Sequence, residues 1–207
     1  MEKFKDKYRI PSARLKNWDY GSNAMYFITI CTKNRISYFG KIISDLIQPQ
    51  TQNIASDLSQ TQTQNIASLR MTELGKITEK CWFDIPNHFP FVELGEFVVM
   101  PNHIHGIIII NKPVAVAVET QNFASNLSQP QTGTQNKFGV QSQNLASIVR
   151  GFKIGVTKYA RQNNLDFDWQ PRFHDHIVCN NEAFEKISNY IINNPQSWFN
   201  DKFYENK

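Results

Sequence analysis

Cysteine is scarce in this 207-residue chain: Cys31, Cys81 and Cys179 are widely spaced and odd in number. They make neither a zinc-ligand spacing nor a disulfide framework, which points to a reducing, cytoplasmic setting. Long apolar runs are missing as well. The most hydrophobic run, Ile107–Ile110, is far short of the ~20 residues that cross a bilayer. Met1–Lys16 is charged from the start and lacks the apolar segment of a secretion signal, so no membrane partner is expected. A strong excess of one charge is missing too. Twenty-two basic residues against 18 acidic ones leave a formal +4, too mild to mark a nucleic-acid protein by itself. What is present is a core: 15 Phe, 7 Tyr and 4 Trp exclude wholesale disorder.

Two stretches stand apart. TQNIAS occurs at Thr51–Ser56 and again at Thr63–Ser68, TQNFAS at Thr120–Ser125 and SQNLAS at Ser142–Ser147. Each copy is too short for a solenoid unit. Tracts of this composition bury too little apolar surface to offset ordering entropy. They are expected to be flexible insertions at about 48–68 and 113–146 in one domain spanning 1–207. Long surface loops cost little, about 0.6 kcal/mol per doubling of length.

The remaining residues predict an α+β unit. Met25–Thr32 is β-branched and aromatic, hence a strand. Thr72 caps a helix in which Leu74, Ile77, Cys81 and Ile85 recur at helical spacing up to Pro86. Phe91–Met100 and His103–Asn111 read as a hairpin turning at Pro101-Asn102. Leu145–Asn163 is a second helix, His174–Cys179 a short strand, and Asn181–Asn193 a third helix stopped by Pro195. That order predicts a ferredoxin-like antiparallel sheet with helices packed on it.

Several residues could carry chemistry. In a strand, His103 and His105 share a face and could hold one cation, although they also read as ordinary sheet histidines. Gly106 beside them would let a ligand approach closely. On the last helix Tyr190 falls to one side of the apolar stripe, with Asn194 one turn further on. It reads either as a tyrosine aimed into a cleft or as one packed at the core margin. Trp169–His176 contains a second His-x-His and Arg172, suited to phosphate or simply to a surface loop. From Thr120 to Leu165 there are five basic residues and no acidic one. Arg150, Lys153, Lys158 and Arg161 share one side of the predicted helix, an unpaired cationic face suited to a phosphate backbone or to solvation alone. Lys3, Lys5, Lys7, Arg9, Arg14 and Lys16 add a second basic cluster, diluted by Glu2 and Asp6.

The blocks VELGEFVVMPNHIHGIIII, SIVRGFKIGVTKYARQ, WQPRFHDHIV and ISNYIINNPQSW resemble the REP-associated tyrosine transposases of the HUH endonuclease superfamily. The resemblance covers nearly everything but the repeat-bearing tracts. It implies a ferredoxin-like fold and cleavage and rejoining of single-stranded or hairpin DNA through a covalent 5′-phosphotyrosine, with Mg²⁺ or Mn²⁺. Matched to the family's motifs, His103 and His105 stand as metal ligands, Tyr190 as nucleophile and Asn194 as a polar third ligand. His176 matches a histidine of the family's corresponding segment and stands as a further metal-ligand candidate. Tyr159 is a rival nucleophile, set back by its place on the apolar side of the basic helix. The DNA-contact candidates Arg150, Lys153, Lys158, Arg161 and Arg172 follow from charge, not from the family. Two other readings stand beside the enzyme: a domesticated, non-catalytic DNA-binding protein, and a metal-dependent hydrolase without a covalent step. The chain is expected to act as a monomer or homodimer.

Overall fold

The computed structural model describes residues 3–4, 7–8, 14–15, 17–45, 66–113 and 143–204. The first and third hexamers, and Lys5, Arg9 and Lys16 of the basic cluster, lie outside the described residues. The strands are β1 (Lys3–Phe4), β2 (Lys7–Tyr8), β3 (Ala24–Cys31), β4 (Gly40–Asp45), β5 (Ile66–Met71), β6 (Val92–Met100), β7 (His103–Ile110) and β8 (His174–Val178). The helices are α1 (Glu73–Phe83), α2 (Ile85–His88), α3 (Leu145–Gln162) and α4 (Asn181–Asn193).

The main sheet has the order β6-β7-β3-β8, and every neighbouring pair is antiparallel. With α1 and α3 as its crossovers, the chain runs β3-α1-β6-β7-α3-β8, the ferredoxin-like β-α-β-β-α-β arrangement. Alternation along the strands sorts residues to two faces. Tyr26, Ile28 and Ile30 of β3 and Ile104, Ile108 and Ile110 of β7 are buried with Leu74 and Trp82 of α1 and Ile148, Val149, Phe152 and Val156 of α3. The opposite face carries His103 and His105, and α4 packs on that side against β6 and β7.

Local chemistry explains the helix boundaries. The Thr72 hydroxyl accepts from Gly75 N–H at the start of α1, and Asn180 accepts from Ala183 N–H at the start of α4. Pro86, expected to stop the first helix, instead sits in the one-turn α2, where a proline near the N-terminus removes no needed donor. The fourth hexamer serves as structure. Asn144 and Ser147 form a reciprocal capping box, and Leu145 and Ala146 open α3.

The β4–β5 hairpin was not expected. Ile66, Ala67 and Ser68, the last residues of the second hexamer, pair with Asp45, Ser44 and Ile43. Paired backbone therefore begins inside the repeat, at a point where its polar composition hides the alternation.

Gly106 has a different role from the one expected. It faces the helices, on the side of the sheet away from the histidines, and a Cβ there would lie 2.3 Å from Trp82 Cζ2. Trp82 in turn stacks on Phe97 at 4.5 Å between ring centroids. The missing side chain makes room for an indole rather than a ligand. Gly106→Ala is expected to cost about 2–3 kcal/mol by overpacking, read as a lower urea midpoint with an unchanged slope.

Candidate active site

The turn Pro101-Asn102 sets β7 so that its first residue lies deep in the molecule. His103 and His105 are 0% and 1% exposed, opposite Cys31 and Thr29 on β3. Both imidazoles are held at Nδ1. His103 Nδ1 is 2.8 Å from Asn102 Oδ1, and His105 Nδ1 is 2.9 Å from Thr29 Oγ1. Asn102 spends its amide donors on the Arg35 and Phe203 carbonyls, leaving Oδ1 to accept the His103 Nδ1 proton. The two Nε2 atoms face each other at 3.1 Å. Nitrogens so placed can share one proton or one cation. Bonds of about 2.1 Å from both to a single ion would subtend about 95°, near the cis angle of an octahedral site.

Burial keeps both imidazoles neutral. It drives His103 well below the ordinary histidine range, assisted by the charge that His105 would carry. It pushes His105 down to about 3, with Lys202 and His174 adding to the effect. A histidine that takes a proton near pH 6.5 when unfolded, and only far lower when folded, favours the folded state fully above that pH. The advantage is lost as pH falls, by about 1.4 kcal/mol per unit for each ring. The metal-free protein should therefore lose roughly 2–4 kcal/mol of stability between pH 7 and pH 5. Urea denaturation should show this in the parent and not in a His103→Gln/His105→Gln double variant.

Tyr190 reaches this pair from α4. Its hydroxyl is 3.3 Å from His105 Nε2, and its ring stands edge-on to Phe27 with centroids 6.1 Å apart. The residue is 43% exposed, so one side remains open to an incoming group. Burial pushes the phenol above its ordinary range and Asp201 adds to the rise, while a hydrogen bond with Asn194 opposes it. Asn194, at the C-cap of α4, is buried, and its Oδ1 has no hydrogen-bond partner. Its Nδ2 donates to Asp201 Oδ2 at 3.4 Å.

Asp201 completes the cluster. One ligand atom each from His103, His105 and Asp201 lie within 4.8 Å of one another, the one such group among the described residues. Sequence reasoning missed this carboxylate because the tail around it has no periodicity to place it. The segment is strapped down from several sides. Arg35 Nη1 donates to Lys202 O at 2.9 Å, Asn102 Nδ2 donates to Phe203 O at 2.8 Å, and the Phe203 ring lies 4.4 Å from that of His103. Two imidazoles, a carboxylate and an orphaned amide oxygen fit a divalent cation of the Mn²⁺ or Zn²⁺ kind, and Mg²⁺ through the oxygens.

The other candidates lie elsewhere. His176 is exposed on β8, paired in register with Phe27, and is not part of that cluster. Tyr159 is half-buried against the helix-covered core. Arg150, Lys153, Lys158, Arg161 and Arg172 all line one groove of about 800 Å³ between α3 and the segment leading into β8. Lys153 also works as an anchor, donating from Nζ to the Gln170 and Arg172 carbonyls at 2.9 and 3.3 Å. Its burial lowers its pKa. No helix among the described residues is long and apolar enough to cross a membrane.

No protein-family model matches the chain. Against the structure of the REP-associated tyrosine transposase bound to a REP hairpin, the TM-score is 0.49 at 17% identity, covering 91% of this chain and 74% of that one. The chain is 38% identical over 194 residues to a Haemophilus influenzae protein described as uncharacterized, a match covering 93% of this chain and 92% of that one. Identity at that level across nearly all of both sequences shows that this chain and the Haemophilus influenzae protein belong to one family.

Proposed function

We propose that the protein is a metal-dependent tyrosine DNA endonuclease and strand transferase acting on hairpin-flanked single strands. The observation that carries this reading is the Tyr190 hydroxyl 3.3 Å from His105 Nε2, within a cluster that also offers His103 and Asp201. The four sequence blocks that resemble the tyrosine transposases support it. A hydrolase needs only the metal ligands. A half-exposed tyrosine hydroxyl at their edge adds a nucleophile.

The proposed metal ligands are His103 and His105 through Nε2 and Asp201 through its carboxylate, with Asn194 Oδ1 as a fourth. A bound divalent ion would polarise the scissile phosphate and offset the charge developing on it. Asn102 and Thr29 fix the two rings so that Nε2 of each points inward. Tyr190 supplies the nucleophile: its oxygen bonds to phosphorus and the bond to the 3′ oxygen breaks. The phenol proton leaves to solvent on the open side, and the departing 3′ oxygen takes one up. The phosphotyrosine keeps the energy of a phosphodiester, so a free 3′-hydroxyl can reverse the step and join a new end. Packing of the Tyr190 ring against Phe27 and His105 holds the hydroxyl at the cluster and limits its swing.

The test is a 5′- or 3′-labelled hairpin oligonucleotide with single-stranded flanks, incubated with Mg²⁺ or Mn²⁺ and run on a denaturing gel. The account expects both a nick and a protein–DNA adduct. Nicking without an adduct would favour the hydrolase, and binding with neither would favour the non-catalytic module.

A further inference from the structure

We infer that the groove along α3 binds single-stranded DNA with its bases turned inward, as a site separate from the tyrosine cluster. This rests on the DNA-processing reading above and adds the form of nucleic acid the groove selects. The groove runs from Ala146 to Gln162, about 24 Å at the rise of a helix. Arg150, Lys158 and Arg161 are exposed along it and make no ion pair among the described residues. The one acid lining it, Asp168, is already paired with Lys33 at 2.8 Å.

The floor sets a single strand apart from a duplex. Ile154 is 59% exposed between Arg150 and Lys158 on the same helix, and the partly buried Phe173 lines the same groove. A duplex presents only phosphates and sugars to a surface of this kind, and would leave Ile154 against charge or water. A single strand can lay its phosphates on the arginines and lysine while its bases cover that floor.

The far wall is fixed rather than adaptable. Arg172 sits at φ 70, a left-handed conformation that favours glycine. Lys153 Nζ ties down its carbonyl and that of Gln170. Trp169 Nε1 donates to the Lys153 carbonyl, closing the same wall from the other end. The groove lies on the helix-covered face and Tyr190 on the opposite one, with β8 as the sheet edge beside them. DNA engaging both would cross that edge.

The experiment is fluorescence anisotropy with labelled dT15 and a 15-base-pair duplex in EDTA, where cleavage cannot contribute. The wild type should favour dT15. Ile154→Ala should weaken dT15 binding about five- to tenfold through the apolar area lost, leaving its salt dependence and the duplex affinity unchanged. Arg150→Gln/Lys158→Gln should flatten the slope of log affinity against log salt by about 1.4. All these side chains are exposed, and an unchanged Tm would confirm that the variants fold. If dT15 binds but Ile154→Ala and the double variant behave as wild type, the groove is not the site, while the DNA-processing reading stands. Equal binding of duplex and dT15 would likewise overturn the inference. Binding of neither probe would overturn both.

Discussion

Tyr190→Phe is expected to abolish the protein–DNA adduct and to reduce strand cleavage at least about 10³-fold. The substitution removes one oxygen and keeps the ring that packs on Phe27 and His105. Stability should change by less than about 1 kcal/mol, because the half-exposed hydroxyl is held to His105 only by a long 3.3 Å hydrogen bond and can exchange its bond with Asn194 for water. Metal binding should survive, since Tyr190 is not among the proposed ligands His103, His105, Asp201 and Asn194. Loss of chemistry with metal retained separates the nucleophile from the metal site. Tyr159→Phe is the control. Its ring packs against the core under the other face of the sheet, so the variant should still form the adduct.

The second large effect concerns the metal. Mn²⁺ at about 100 times its dissociation constant should stabilise the wild type by roughly 2.7 kcal/mol, visible as a rise in Tm. His103→Ala or His105→Ala should eliminate both that rise and the cleavage activity, because either leaves a single imidazole. Asp201→Asn keeps an oxygen but loses the charge, and should weaken metal binding about 10–100-fold. Asn194→Ala removes the orphaned buried oxygen and should have the smaller effect of the two on affinity, since a neutral amide contributes no charge. If Asp201→Asn binds Mn²⁺ like wild type while Asn194→Ala does not, the third ligand is Asn194 and the carboxylate serves only the strap.

The ferredoxin-like order was legible in the sequence because its strands and helices are strongly patterned. Five of the eight residues of β7 are isoleucine, α4 carries an apolar stripe, and Thr72 and Asn180 are capping residues. The histidine pair was legible for a simpler reason: alternation puts residues two apart on one face whatever the rest of the chain does. Its surroundings were not. Asp201 is brought in by a tail whose path depends on the Arg35 and Asn102 side chains gripping the Lys202 and Phe203 carbonyls. Those are contacts across 167 and 101 residues of sequence, which no local pattern encodes. Gly106 was misjudged although alternation alone sends it to the face away from the histidines; Trp82, for which it makes room, sits on a different element that no local pattern places there. Lys153 reads on a helical wheel as one more cation of the basic face. Its carbonyl partners are on the following loop, so only the tertiary structure distinguishes a wall anchor from a free charge.

The most direct measurement is to map the attachment point. The protein is incubated with a suicide oligonucleotide nicked just beyond the expected scission site, digested with trypsin and nuclease, and its nucleotide-bearing peptide sequenced by mass spectrometry. The account predicts a phosphate-linked nucleotide on Tyr190, formed only when Mg²⁺ or Mn²⁺ is present. Attachment at Tyr159, or efficient cleavage with no modified peptide at all, would contradict it.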